Sequence, residues 1–106
     1  MYATLLATDS YLPGLQLLTA TLRQFTQRTL VILITPNITK TTKLFLKKLP
    51  NVMIHKVPNI GKPDVSEGSW EASQYTKLHI FNLIQFSQVF YIDADAIVMS
   101  DPEPIF

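Results

Sequence analysis

A chain of 106 residues, 47% of them hydrophobic, is long enough for one packed core and too short for two. Its formal net charge of +1, with no basic block beyond Lys40, Lys43, Lys47 and Lys48, gives no electrostatic footprint for nucleic acid. The absence of cysteine excludes disulfides, thiolate zinc sites and cysteine nucleophiles, and fits a reducing compartment.

Tyr2 to Thr8 is a short apolar run ending in Thr8-Asp9-Ser10, and reads as a strand followed by a loop. With Met1 taken as the start, no signal region or membrane anchor precedes it, so a soluble cytoplasmic protein is the expectation. Pro13 then opens a helix that sets Leu15, Leu18, Leu22 and Phe25 on one stripe. Thr29 to Thr35, a continuous β-branched and Leu run, has the pattern of a strand buried on both faces, stopped by Pro36-Asn37. The next helix turns Ile38, Phe45 and Leu49 inward and its lysines outward, as a solvated face. Asn37-Ile38-Thr39 fits the N-glycosylation pattern, but without a secretory signal it reads as a helix start.

Pro50-Asn51 ends that helix, and Val52 to Val57 forms a third strand. From Pro58 to Ser69 the composition shifts to Pro, Gly, Asn, Ser and charge, a loop too long to be only a connection. Trp70 to Phe86 reads as a helix with apolar residues on most sides, among them Leu78, Ile80, Phe81, Leu83 and Ile84. A fourth strand, Val89 to Ile92, leads into Asp93-Ala94-Asp95. Alternating strands and helices predict an α/β, Rossmann-like parallel sheet with helices on both faces, most economically in the order 3-2-1-4. That order brings Thr8, Asp9 and Tyr11, at the end of the first strand, near Asp93 and Asp95 at the end of the fourth, where such sheets bind ligands.

The Asp pair carries the chemistry. Two carboxylates on alternate residues of an extended segment point the same way and repel, and a hard divalent cation removes the conflict. Mg²⁺ or Mn²⁺ takes carboxylate oxygens and fills its other positions with water and phosphate oxygens, so the pattern predicts a metal-bridged phosphate site. The competing reading is a solvated turn, for which one Asp would serve. The only glycines are Gly14, Gly61 and Gly68, so neither the dinucleotide fingerprint nor a Walker A run exists to cradle phosphates instead. Lys77, one helix earlier, is the candidate cation for a diphosphate leaving group; the alternative is a snorkelling surface lysine. His55 and His79 read as packing residues rather than metal ligands.

Three segments, Ala3-Thr4-Leu5-Leu6-Ala7-Thr8-Asp9-Ser10-Tyr11-Leu12-Pro13-Gly14, Tyr75-Thr76-Lys77-Leu78-His79-Ile80-Phe81 and Val89-Phe90-Tyr91-Ile92-Asp93-Ala94-Asp95, together resemble the glycogenin-like branch of glycosyltransferase family 8. The resemblance runs to Asp101-Pro102-Glu103-Pro104-Ile105-Phe106 and covers the nucleotide-binding front of that family's catalytic domain, so residues 1–106 are expected to be one piece of a longer transferase. It implies a GT-A fold that binds a UDP-sugar with Mn²⁺ and transfers the sugar, with retention, to an acceptor hydroxyl. It implies uracil and ribose contacts at Leu5, Thr8, Asp9 and Tyr11, a nucleotide-sugar contact at Lys77, metal ligation by Asp93 and Asp95, and Ala94 against the ribose. Glucose is the sugar favoured by the Tyr11–Gly14 and Tyr75–Leu78 segments. This chain departs from the family in carrying Leu6-Ala7-Thr8 where a polar run with Asn is common, and in lacking the downstream histidine segment that supplies a third metal ligand.

Charge developing on the β-phosphate as the sugar leaves is what a cation between two carboxylates, with a lysine nearby, stabilises. Asp9 as a general base is weighed below a ribose or uracil contact. Two alternatives stand: a non-catalytic nucleotide-sugar-binding or dimerising module, and a haloacid-dehalogenase-type phosphatase. The latter's motif continues with Gly-Thr and lies on the first strand, whereas Ala96-Ile97 follows here on the fourth. An apolar, unpaired sheet edge predicts self-association, most simply as a homodimer.

Overall fold

The computed structural model describes residues 1–58 and 88–106. The expected loop beyond Pro58 and the helix over 70–86, with Lys77 and His79, lie outside the described residues. Within them the chain forms β1 (Tyr2–Leu6), a 3-10 turn (Asp9–Tyr11), α1 (Leu12–Arg23), β2 (Leu30–Ile34), α2 (Lys40–Leu46), β3 (Val52–Lys56), β4 (Phe90–Tyr91) and a second 3-10 turn (Glu103–Ile105). The sheet is parallel and its order is β3-β2-β1-β4, as the alternation of elements predicted. β1 is central: Tyr2 to Leu6 pair with Leu30 to Ile34, and Tyr2 and Ala3 pair with Phe90 and Tyr91.

The two inner strands are buried at every position, which is why they read as unbroken apolar runs rather than alternating ones. Strand alternation sends Tyr2, Leu6, Leu30, Ile32 and Ile34 to one face, where Leu15, Leu18 and Leu22 of α1, with Ile38 and Leu46, complete the main core. Ala3, Leu5, Ala7, Val31, Leu33 and Val57 form a second cluster, with Met1, Val89 and Tyr91 packed against it. Each fully buried Leu or Ile contributes on the order of 2 kcal/mol. The Thr4 hydroxyl is fully buried and has no hydrogen-bond partner among the described residues.

Pro13 lies in the first turn of α1, where its missing N–H costs nothing. The helix buries Leu15, Leu18, Thr19 and Leu22, and stops before Phe25, which is 37% exposed instead of completing the stripe. α2 starts at Thr39, whose Oγ1 accepts the Thr42 N–H at 3.4 Å. Ile38 is buried just ahead of this helix, Thr42 and Leu46 are its buried residues, and Phe45 and Leu49 pack at the core's margin. Lys40, Lys47 and Lys48 are exposed, as expected. Asn51, with φ 55°, takes the left-handed conformation that turns the chain from α2 into β3; asparagine tolerates that region better than most residues.

The N-terminal ends of the strands are tied by two charged groups. Arg23 Nη1 donates to the Thr26 and Arg28 carbonyls at 3.2 and 3.0 Å, and Nη2 to those of Pro50 and Asn51 at 3.3 and 3.0 Å. Glu103 accepts from Tyr2 Oη at 2.7 Å, Thr26 Oγ1 at 2.8 Å and Arg28 Nε at 3.0 Å. Beside it the Phe106 ring meets Tyr2 edge-on at 5.2 Å, and the Arg28 guanidinium lies 4.3 Å from the Phe106 ring centre. Hydrogen bonds from Tyr2 and Arg28 hold the Glu103 carboxyl down at about 2.

Candidate functional site

At the opposite end of the sheet, β1 and β4 deliver their C-terminal loops side by side. This is the point where successive connections diverge, to β2 on one side of β1 and to β4 on the other. Pairing with β1 persists one residue past β4, through the Ile92 N–H on the Ala3 carbonyl at 2.8 Å, so Asp93 emerges directly above the sheet. The chain then turns: the Ala96 N–H closes on the Asp93 carbonyl at 3.0 Å, with Ala94 and Asp95 in the corner. The extended alternation expected across Asp93-Ala94-Asp95 is therefore replaced by a tight turn. What the turn gives is two exposed carboxylates flanking a buried Ala94.

The first turn of α1 abuts this corner. A Cβ placed on Gly14 would lie 3.1 Å from the Ala94 carbonyl oxygen and 3.2 Å from the Asp95 Cα, closer than side-chain carbons ordinarily approach. Two turns along the same helix, Thr21 Oγ1 accepts the Val98 N–H at 3.0 Å while donating to the Leu18 carbonyl at 3.1 Å. The sequence places Gly14 at the end of the first resembling segment without assigning it a contact, and gives no sign of Thr21, seven residues further along the same helix.

The loop after β1 is pinned to the loop after β2. Thr35 Oγ1, buried, donates to the Ala7 carbonyl at 2.9 Å, and Asp9 Oδ1 accepts the Thr39 N–H at 3.2 Å. The Thr39 backbone hydrogen bond lowers the Asp9 pKa, so this carboxylate is an ionised, fixed acceptor. Thr8 Oγ1 and Ser10 Oγ share a 2.6 Å hydrogen bond, and Tyr11 is 39% exposed. Leu5 sits inside β1, 6% exposed in the second core cluster, so its side chain packs rather than projecting from the loop. Tyr91 is half-buried below the Asp pair, and its place in an apolar run gives no sign of its contact with Asp93. Burial first, then the charge of Asp93 with a hydrogen bond to it, raise its phenol pKa against an opposing Leu5 backbone contact, so the hydroxyl stays protonated.

Asp93 and Asp95 offer hard oxygen ligands on an exposed turn, the donor chemistry that suits Mg²⁺ or Mn²⁺ completed by water and phosphate oxygens. Among the described residues, no group of three or more His, Cys, Asp or Glu side chains converges on one point, and His55 is exposed on the edge strand β3. Lys77 lies outside the described residues.

No protein-family model matches the chain. Curated relatives do. An inositol phosphorylceramide glucuronosyltransferase 1 of Arabidopsis thaliana is 30% identical across 99% of the chain, which covers 20% of that protein. A glycogenin of Neurospora crassa is 31% identical across the whole chain, which covers 16% of it. Glycogenin-1 of Oryctolagus cuniculus is 26% identical across 99% of the chain, which covers 33% of it. The chain thus spans a third or less of the length of these relatives.

Proposed function

Because the chain is related over its whole length to the glycogenin-like glycosyltransferases of family 8, we propose that it supplies the nucleotide-sugar half-site of a metal-dependent transferase that retains anomeric configuration. The supporting observation is the Asp93-Ala94-Asp95 turn, exposed at the C-terminal end of the sheet beside the loop that follows β1. In this reading Asp93 and Asp95 hold Mn²⁺ or Mg²⁺, and Ala94 with Thr8, Asp9 and Tyr11 shapes the uridine side. Leu5 backs that loop from within the core. A cation held by these two carboxylates would neutralise charge on the diphosphate leaving group. Lys77 adds a second positive charge to the leaving group. Asp9, already bonded to Thr39, acts as an ionised acceptor for ribose or base rather than as a proton carrier.

The proposed donor is UDP-glucose and the acceptor a hydroxyl on a glycan or protein. Among the described residues no helix is long and apolar enough to cross a membrane. A cytoplasmic setting belongs to the same reading and is supported by the cysteine-free composition. Self-association through a sheet edge is supported by β3, an edge among the described strands that carries a 46% exposed Met53. Sedimentation showing a monomer at high concentration would remove that element.

Calorimetric titration of UDP with and without Mn²⁺ tests the core of the proposal. Binding that requires Mn²⁺ and disappears in Asp95→Ala is expected. No heat from a chain shown by circular dichroism to be folded overturns it. Competition between UDP-glucose and UDP-glucuronate then decides the sugar, tighter binding of the glucuronate refuting glucose.

A further inference from the structure

The Asp93–Asp95 turn and the segment after it run alongside α1, and two positions on that helix touch them. Gly14 meets the Ala94 carbonyl and the Asp95 Cα. Thr21 holds the Val98 amide. Gly14 and Thr21 are seven residues, about 10.5 Å, apart along the helix, so the two contacts touch the chain after β4 at two separate points, Ala94–Asp95 and Val98.

We propose that α1 sets the position of the two carboxylates, with Gly14 and Thr21 as positioning residues: Gly14 fixes how close the turn approaches the helix, and Thr21 fixes its register. The requirement at position 14 is spatial. Any side chain there meets main-chain atoms, the Ala94 oxygen and the Asp95 Cα, which cannot swing aside as the end of a flexible side chain would. The smallest substitution, to Ala, forces the turn away by a few tenths of an ångström. Metal ligands tolerate deviations of only about 0.2 Å from their preferred distances, so a displacement of that size reaches the carboxylates. Thr21 works differently. Its Oγ1 is committed to donating to Leu18, so its acceptor side alone faces Val98. Removing it frees the segment to slide without pushing it.

The inference rests on reading Asp93 and Asp95 as the metal-binding pair, and its experiment separates the two. Amide resonances of ¹⁵N-labelled chain are recorded without metal for wild type, Gly14→Ala, Thr21→Val and the control Gln16→Ala, an exposed position on the same helix. Mn²⁺ affinity in the presence of UDP is measured for each by the paramagnetic resonance of free Mn²⁺, and thermal melting is followed in EDTA. Gly14→Ala is expected to shift the amides of Ala94, Asp95 and Ala96 while those of β1 to β3 hold, and to weaken Mn²⁺ about tenfold with metal-free melting little changed. Thr21→Val is expected to shift Val98 and weaken Mn²⁺ about threefold, and Gln16→Ala to change neither. Unmoved 94–96 amides in Gly14→Ala, or moved amides with Mn²⁺ affinity intact, overturn the inference. Should Gly14→Ala lose its fold, Thr21→Val decides by the same two readouts. If wild type takes up no Mn²⁺, the metal reading falls, and the amide shifts alone decide whether Gly14 sets the turn.

Discussion

At one end of the sheet, Arg23 and Glu103 gather seven partners between them: four carbonyls around the guanidinium, and Tyr2, Thr26 and Arg28 around the carboxylate. At the other end, Asp93 and Asp95 stand exposed on a turn held chiefly by main-chain and helix contacts. Carboxylates thus do opposite jobs at the two ends. At the N-terminal rim the hydrogen-bonding capacity of Arg23 and Glu103 is used within the fold, joining the α1–β2 connection to the α2–β3 connection and to the chain after Val98. At the C-terminal face the backbone is fixed, Asp93 is hydrogen-bonded by the half-buried Tyr91 below it, and both carboxylates stay exposed to solvent. An exposed carboxylate keeps oxygen within reach of water or a ligand, which an enclosed one does not.

Substitutions can break or sharpen that contrast. Arg23→Ala should have the largest effect on stability, about 3 kcal/mol in chemical denaturation, because four carbonyls lose one charged donor at once. UDP and Mn²⁺ binding by the fraction that stays folded should be unchanged, and a parallel loss of binding would contradict the separation of the two ends. Glu103→Gln should come next, and it carries a pH signature. The folded carboxyl is depressed from 4.5 to about 2, so its contribution is fully present above pH 4.5 and is lost as pH falls through about 2. Wild type should therefore lose stability across that window more steeply than Glu103→Gln, and equal slopes would refute a stabilising role for the Glu103 carboxylate.

Smaller effects belong to the other face. Thr35→Val removes the buried bond to the Ala7 carbonyl and should cost about 1 kcal/mol in denaturant titration. It should also loosen the loop carrying Thr8 and Asp9, read as faster amide exchange at positions 8 to 11. Asp95→Ala, exposed, should move stability by no more than about 0.5 kcal/mol while abolishing Mn²⁺-dependent UDP binding. A large stability loss there would mean that the carboxylate serves the fold, as Glu103 does.

The sequence shows one end of the molecule far more plainly than the other. Strand order, the buried inner strands and the Asp pair followed from apolar periodicity and from two like charges in one short segment, all local signals. Glu103 lies 101 residues from Tyr2 and 75 from Arg28, and nothing in Asp101-Pro102-Glu103-Pro104 announces partners that only the folded topology brings near. Arg23 closes a helix, and nothing near it in the sequence announces the four carbonyls it reaches. Phe25 fitted the helical stripe, yet the helix unwinds before it, its Phe25 and Thr26 amides both turning to the Leu22 carbonyl at 3.0 and 3.1 Å. The alternation assumed across Asp93 to Asp95 failed because β4 is two residues long and its continuation turns, so local pattern set the residues but not their direction.

One amide has a further use. Between Ala96 and Glu103 the chain has no strand or helix, and the Val98 N–H is given to the Thr21 hydroxyl rather than to a ladder of carbonyls. Hydrogen exchange at that position is governed by how often the strap lifts from α1, an event that need not disturb the sheet. Its rate, compared with those of Leu5 and Ile32 in the core strands, separates the opening of the carboxylate-bearing arm from unfolding of the domain. Val98 is thereby a clock within the chain, and a ligand gripping the turn would slow it without slowing the others.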